Sequence, residues 1–79
     1  MNRILIVDDE LNMRLVLKAM LSKEGYDVLL AEDGLVALEI LKTNQVDAIV
    51  TDLKMPRLDG MALLSRVNKE YPSVPIVII

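Results

Sequence analysis

Four short apolar runs, free of charge and set apart by segments of helical periodicity, constrain this chain more than any other feature. They are Ile4-Leu5-Ile6-Val7, Val28-Leu29-Leu30-Ala31, Ala48-Ile49-Val50 and Val74 to Ile79. A strand that is apolar on both faces belongs inside a parallel sheet covered by helices on both sides. The first strand is predicted over Arg3 to Val7. From about Glu10 to Glu24, Met13, Val16, Leu17, Met20 and Leu21 recur at helical spacing, with Arg14, Lys18 and Lys23 on the other face. Gly25 follows as a C-terminal cap. Asp27 to Ala31 reads as the second strand. Glu32-Asp33-Gly34 then opens a second helix, which runs to about Thr43 and is buried through Ala37, Leu38 and Leu41. Val46 to Thr51 is the third strand, and the segment from Lys54 to Gly60 is a loop punctuated by Pro56 and Gly60. A third helix spans about Met61 to Glu70, with Leu63, Leu64 and Val67 inward. Tyr71-Pro72-Ser73 ends it, and Val74 to Ile79 is the fourth strand. This βαβαβαβ order implies right-handed crossovers and one parallel sheet.

Seventy-nine residues hold one small domain, in the size range where burial only narrowly offsets lost chain entropy. The hydrophobic share of 53%, with two tyrosines as the only aromatics, describes a core of Leu, Ile, Val and Met. The chain has neither cysteine nor histidine, which excludes disulfides, thiolate metal sites and the histidine chemistries of zinc and of proton transfer. Its chemistry must run on carboxylates, hydroxyls and lysines. A net charge of −3 with dispersed basic residues gives no footprint for direct nucleic-acid binding. A lone Arg3 ahead of a short apolar run does not make a signal peptide, and no apolar stretch approaches the ~20 residues of a membrane span. The expected location is cytoplasmic, without membrane contact.

Asp8 and Asp9 end the first apolar run, and Asp52 ends the third. In open parallel sheets, ligands sit beyond the carboxyl ends of the strands, where the winding reverses. If the first and third strands are neighbours, the three carboxylates meet there. Their mutual repulsion calls for protonation or for a cation. An all-oxygen donor set suits Mg²⁺, or Mn²⁺ in its place. The plainer alternative makes Asp8-Asp9-Glu10 an acidic helix start and Asp52 a loop cap. Either would do for one residue alone; acids at two strand ends together favour a site.

The runs Ile4 to Glu10, Gly25-Tyr26, Ala31-Glu32-Asp33-Gly34, Asp47 to Pro56 and Asp59-Gly60 carry a resemblance: the chain is similar to the receiver domain of bacterial two-component response regulators. The resemblance covers essentially the whole length. It implies a flavodoxin-like, doubly wound parallel sheet of order 2-1-3-4-5, reduced here to 2-1-3-4, with residues 1–79 as the N-terminal part of a single receiver domain. It further implies that Asp52 takes a phosphoryl group from the phosphohistidine of a sensor histidine kinase. Asp9 would ligate Mg²⁺ directly, Asp8 directly or through water, and the backbone carbonyl of Lys54 would complete the protein's ligands beside Asp52. Such a chain is no enzyme in the ordinary sense, but a phosphoacceptor that assists its own phosphotransfer by positioning and electrostatics. The Lys54 side chain would face the mouth of the site and tune hydrolysis.

Around that site, Pro56 and Gly60 read as supports of the loop and Asp59 as a turn residue or helix cap. Lys54 and Arg57 read as solvated loop cations. Met13 and Met20 are expected in the core, whereas Met55 and Met61 flank the loop with partial exposure. Full-length receivers continue through a fifth strand and two further helices. A Thr or Ser directly after the fourth strand and a Lys at the end of the fifth bind the phosphoryl oxygens in the family. The chain therefore reads as a truncated receiver that keeps metal binding and loses switching. Its fourth strand becomes an uncharged sheet edge and its first helix an apolar patch, so a homo-oligomer through that edge is expected. The competing function is a self-assembly module with a vestigial acidic site. A hydrolase with an aspartyl nucleophile is disfavoured, because Leu53-Lys54 follows Asp52 where a second acid would be needed.

Overall fold

The computed structural model describes residues 2–79. The elements are β1 (Arg3–Val7), α1 (Leu11–Lys23), β2 (Asp27–Ala31), α2 (Gly34–Thr43), β3 (Ala48–Thr51), α3 (Gly60–Glu70) and β4 (Ile76–Ile78). The strands form one sheet in the order β2-β1-β3-β4, with every pairing parallel. Apolar runs buried on both faces produced that arrangement: Leu5 and Ile6 point to opposite faces and both are fully buried.

The register fixes which residues share a face. Leu5 pairs with Leu29 and Ile49, and Ile49 pairs with Ile76. These residues lie with Val7, Ala31, Ala37, Leu38, Leu41, Leu63 and Val67 in the main core, under α2 and α3. Ile4 and Ile6 are buried on the opposite face, where α1 packs on β2 and β1.

The third and fourth strands start later than the apolar runs predict, and local hydrogen-bonding groups explain both shifts. The Asp47 carboxylate accepts the Arg3 N–H at 2.6 Å, so a side chain occupies that ladder position ahead of β3. Pro75 has no N–H to give; its carbonyl accepts from Ile49 at 2.9 Å, and β4 begins one residue on.

Helix ends follow local rules. Asp33 accepts the Val36 N–H at 2.9 Å and Asp59 accepts the Ala62 N–H at 2.9 Å, capping α2 and α3. At the end of α1, Gly25 stands at φ 94° while its N–H reaches Ser22 and the Tyr26 N–H reaches Leu21. This paired closure suits glycine, which has no Cβ to strain.

The expectation for α1 needs correction. None of its residues is buried; Met13, Val16 and Met20 are exposed, and Leu17, Leu21 and Arg14 are only half-buried. Met13 and Met20 therefore do not lie in the core. Periodicity located an apolar face broader than the strip that β1 and β2 cover. Arg14, predicted on the outer face, instead donates to the Asp8 carbonyl at 2.6 Å. Leu64 of α3 is half-buried rather than buried. No helix among the described residues is long and apolar enough to cross a membrane.

Candidate functional site

The site is built where β1 and β3 end side by side. Val7 and Thr51 are register partners, and the Asp52 N–H donates to the Val7 carbonyl at 2.9 Å. The next residues, Asp8-Asp9 and Asp52, leave the sheet together. β1 leads to β2 on one side and β3 lies on the other, so the crevice between β1 and β3 is the point of reversal at which ligands of such sheets bind.

Carboxylate oxygens of Asp8, Asp9 and Asp52 lie within 4.8 Å of one another. Asp8 is buried at 5% exposure, Asp52 is half-buried and Asp9 is exposed, which gives a closed floor and an open mouth. One Asp8 oxygen accepts the Glu10 N–H at 2.9 Å, and one Asp52 oxygen accepts the Leu53 N–H at 2.8 Å. Each carboxylate thereby keeps a second oxygen for another partner. Glu10 stands at the N-cap of α1 without any side-chain capping bond. The Glu10 side chain is thus not spent on capping.

Among the described residues, none of the ion pairs includes these three acids. Arg14 binds a backbone carbonyl, and Arg57 is engaged with Asp33. Three converging carboxylates without a cationic side chain fit a hard divalent ion, whose ligand oxygens stand roughly 3–4 Å apart for bonds of about 2.1 Å. Of the predicted ligands, the structure brings Asp8, Asp9 and Asp52 together. Lys54 lies two residues past Asp52 in the connecting loop, and its residue is exposed.

The loop between β3 and α3 is held at several points. The Gly60 N–H donates to the Leu53 carbonyl at 2.8 Å. A Cβ on Gly60 would run into the Asp52 carbonyl oxygen and Leu53 Cα, so this glycine is required by close backbone approach. Buried Thr51 donates its hydroxyl to the Asp52 carbonyl at 3.0 Å. Arg57, expected to be solvated, instead pairs with the buried carboxylate of Asp33. Burial pushes the Asp33 carboxyl up, but the Val36 N–H and the Arg57 guanidinium outweigh it and hold it below its ordinary value.

An open cleft of about 390 Å³, lined by Asp9, Glu32, Asp33, Pro56 and Arg57, adjoins the acidic cluster. A larger one of about 500 Å³ lies at the other end of the strands, between residues 41–46 and 70–74. It contains none of the three acids, whereas Asp9 lines the smaller cleft.

Comparison with known proteins agrees with this architecture. The family model for the response regulator receiver domain matches residues 4–79. The chain is 42% identical over 77 residues to the response regulator MprA of Mycobacterium sp. (strain KMS), covering 98% of this chain and 34% of MprA. It thus spans about a third of that curated relative's length. The response regulator TrrA of Thermotoga maritima, solved in complex with Mg²⁺-BeF, superposes with a TM-score of 0.95 at 36% identity, covering 99% of this chain and 68% of TrrA. TrrA in complex with the histidine kinase ThkA gives a TM-score of 0.93 at 36% identity, covering 99% and 67%. A flavodoxin-like sheet of order 2-1-3-4, acids at its reversal point and a family match along nearly the whole sequence agree: this chain belongs to the response regulator receiver domain family.

Proposed function

We propose that the chain accepts a phosphoryl group on Asp52 within a two-component phosphorelay, with Mg²⁺, or Mn²⁺ in its place, held by Asp8, Asp9, Asp52 and the Lys54 carbonyl. The observation that carries this reading is the convergence of three carboxylates at the reversal point with no cationic side chain paired to them. Bound there, the ion would neutralise the carboxylates and the oxygens of the incoming phosphoryl group.

The chain's own residues supply the rest. Asp52 offers its free carboxylate oxygen to phosphorus, and the Leu53 N–H fixes the other oxygen. With a phosphohistidine donor, the new O–P bond forms as the P–N bond breaks, and the electron pair leaves with the imidazole. The product is an acyl phosphate on Asp52. The Asp52 N–H bond to the Val7 carbonyl and the Thr51 hydroxyl bond to the Asp52 carbonyl keep this end of β3 in place, so the chain acts by positioning rather than by turnover. A sensor histidine kinase as the donor is supported by the ThkA–TrrA complex, whose regulator shares this fold at 36% identity.

Incubation with Mg²⁺ and a small phosphodonor, followed by intact-mass measurement, tests the reading. One phosphoryl adduct is expected on the native protein and none on Asp52→Asn. An adduct that persists in the variant would remove Asp52 from the role.

A second reading, a self-assembling module, is favoured by β4. Among the described strands it is paired on one side only, and Val77 is 54% exposed. A second copy adding to that edge forms a homo-oligomer. Val77→Lys should then shift the sedimentation profile toward monomer, and an unchanged profile rejects it.

A further inference from the structure

We infer that the Asp33–Arg57 ion pair is a latch that positions the loop between β3 and α3 for cation and phosphoryl binding at Asp52. The inference rests on the acceptor reading above. Asp33 is 4% exposed, and its two carboxylate oxygens serve different elements. Oδ1 accepts the Val36 N–H at 2.9 Å and caps α2. Oδ2 accepts Arg57 Nε at 2.7 Å and Nη2 at 2.5 Å, tying the start of α2 to the loop. The following residue adds a backbone tie: the Gly34 N–H donates to the Leu58 carbonyl at 3.1 Å. A Cβ on Gly34 would collide with that carbonyl oxygen and with Leu58 Cβ.

The loop is shaped to meet this grip. The Leu58 N–H closes on the Pro56 carbonyl at 2.9 Å, with Arg57 between them at φ 69°. That left-handed conformation is sparsely populated for a residue with a side chain, and it persists only where surrounding contacts enforce it. Capping alone needs one oxygen of Asp33, and a solvated arginine has no reason to sit there. The fork of Arg57 on the second oxygen supplies the reason. At its far end the loop is pinned where Gly60 meets the Asp52 and Leu53 backbone. Lys54 lies between the two anchor points. The Arg57 side chain is half exposed, so the pair is screened by solvent and acts on the loop's geometry more than on global stability. It forms part of the wall of the cleft that Asp9 also lines.

Two substitutions isolate the latch. Asp33→Asn retains a capping oxygen and removes the ionic partner; Arg57→Gly retains the positive φ and removes the guanidinium. Amide exchange on the metal-free intact protein, followed by NMR, is expected to show lost protection at the Gly34 and Gly60 N–H groups in each variant. Mn²⁺ titration followed by EPR is expected to show about tenfold weaker binding in each, the size typical of residues that support metal ligands. The double variant should be no worse than the worse single one, because both remove the same tie. Arg57→Lys should recover part of the affinity. Unchanged exchange in both single variants overturns the latch, as do altered exchange with unchanged Mn²⁺ affinity and strictly additive losses. If the native protein fails to bind Mn²⁺, the acceptor reading falls, and amide exchange alone decides the latch.

Discussion

The two faces of the sheet are built from equally apolar strands and end in different states. On one, Leu5, Val7, Ala31 and Ile49 are sealed beneath α2 and α3, which contribute Ala37, Leu38, Leu41, Leu63 and Val67. On the other, α1 lies over β2 and β1 and buries Ile4 and Ile6, yet Leu11, Leu15, Val16 and Met20 of α1 remain exposed. A helix's apolar stripe records how much surface can be covered, whereas its burial records how many neighbours do so. The closed face carries most of the buried core, and the open face leaves apolar side chains of α1 on the surface.

Substitutions on the closed face, in the loop and on the open face should separate their contributions. Leu63→Ala, on the closed face, should cost about 3 kcal/mol through lost transfer energy and a residual cavity, measured by urea denaturation. A cost near zero would mean that the closed face is not the stabilising one. Gly60→Ala should cost about 2 kcal/mol, because the new methyl meets backbone rather than a movable side chain. Its effect should also reach Asp52, visible as weaker Mn²⁺ binding.

Acid should then separate the loop side from the rest. The folded Asp33 carboxyl is held below its ordinary 3.8. Its contribution to stability is complete above that value and is lost as pH falls through the lower, folded one. Acid titration of the native protein should show this loss below about pH 4, and Asp33→Asn should flatten that limb of the curve. The smallest effect is expected on the open face, where Val16→Lys should change stability by no more than about 0.5 kcal/mol. It should reduce binding of a hydrophobic dye, and a dye signal unaffected by the charge would place the apolar surface elsewhere.

The strands and the acids were legible because both are local signals. β1 and β2 keep their expected bounds, since nothing interrupts their apolar runs. Asp8, Asp9 and Asp52 follow from where those runs stop, once the parallel sheet brings β1 and β3 together. The late starts of β3 and β4 were hidden in single groups, the carboxylate of Asp47 and the missing N–H of Pro75. Asp33 and Arg57 are 24 residues apart, and no periodicity marks two residues that meet only after the chain has crossed the sheet. The exposure of Met13 and Met20 was equally hidden, because spacing shows the side of a helix that is apolar and not the width of its support.

The pairing of Val7 with Thr51 has a consequence for how this chain tolerates changes in length. Side chains alternate across a strand with a period of two, so one residue inserted or deleted within 48–51 would send Asp52 to the other side of the sheet while leaving composition and apolar content almost unaltered. The connection at Asn44 and exposed Gln45 carries no such parity. Libraries of single-residue insertions should therefore be accepted at Asn44-Gln45 and should lose Mn²⁺ binding within 48–51.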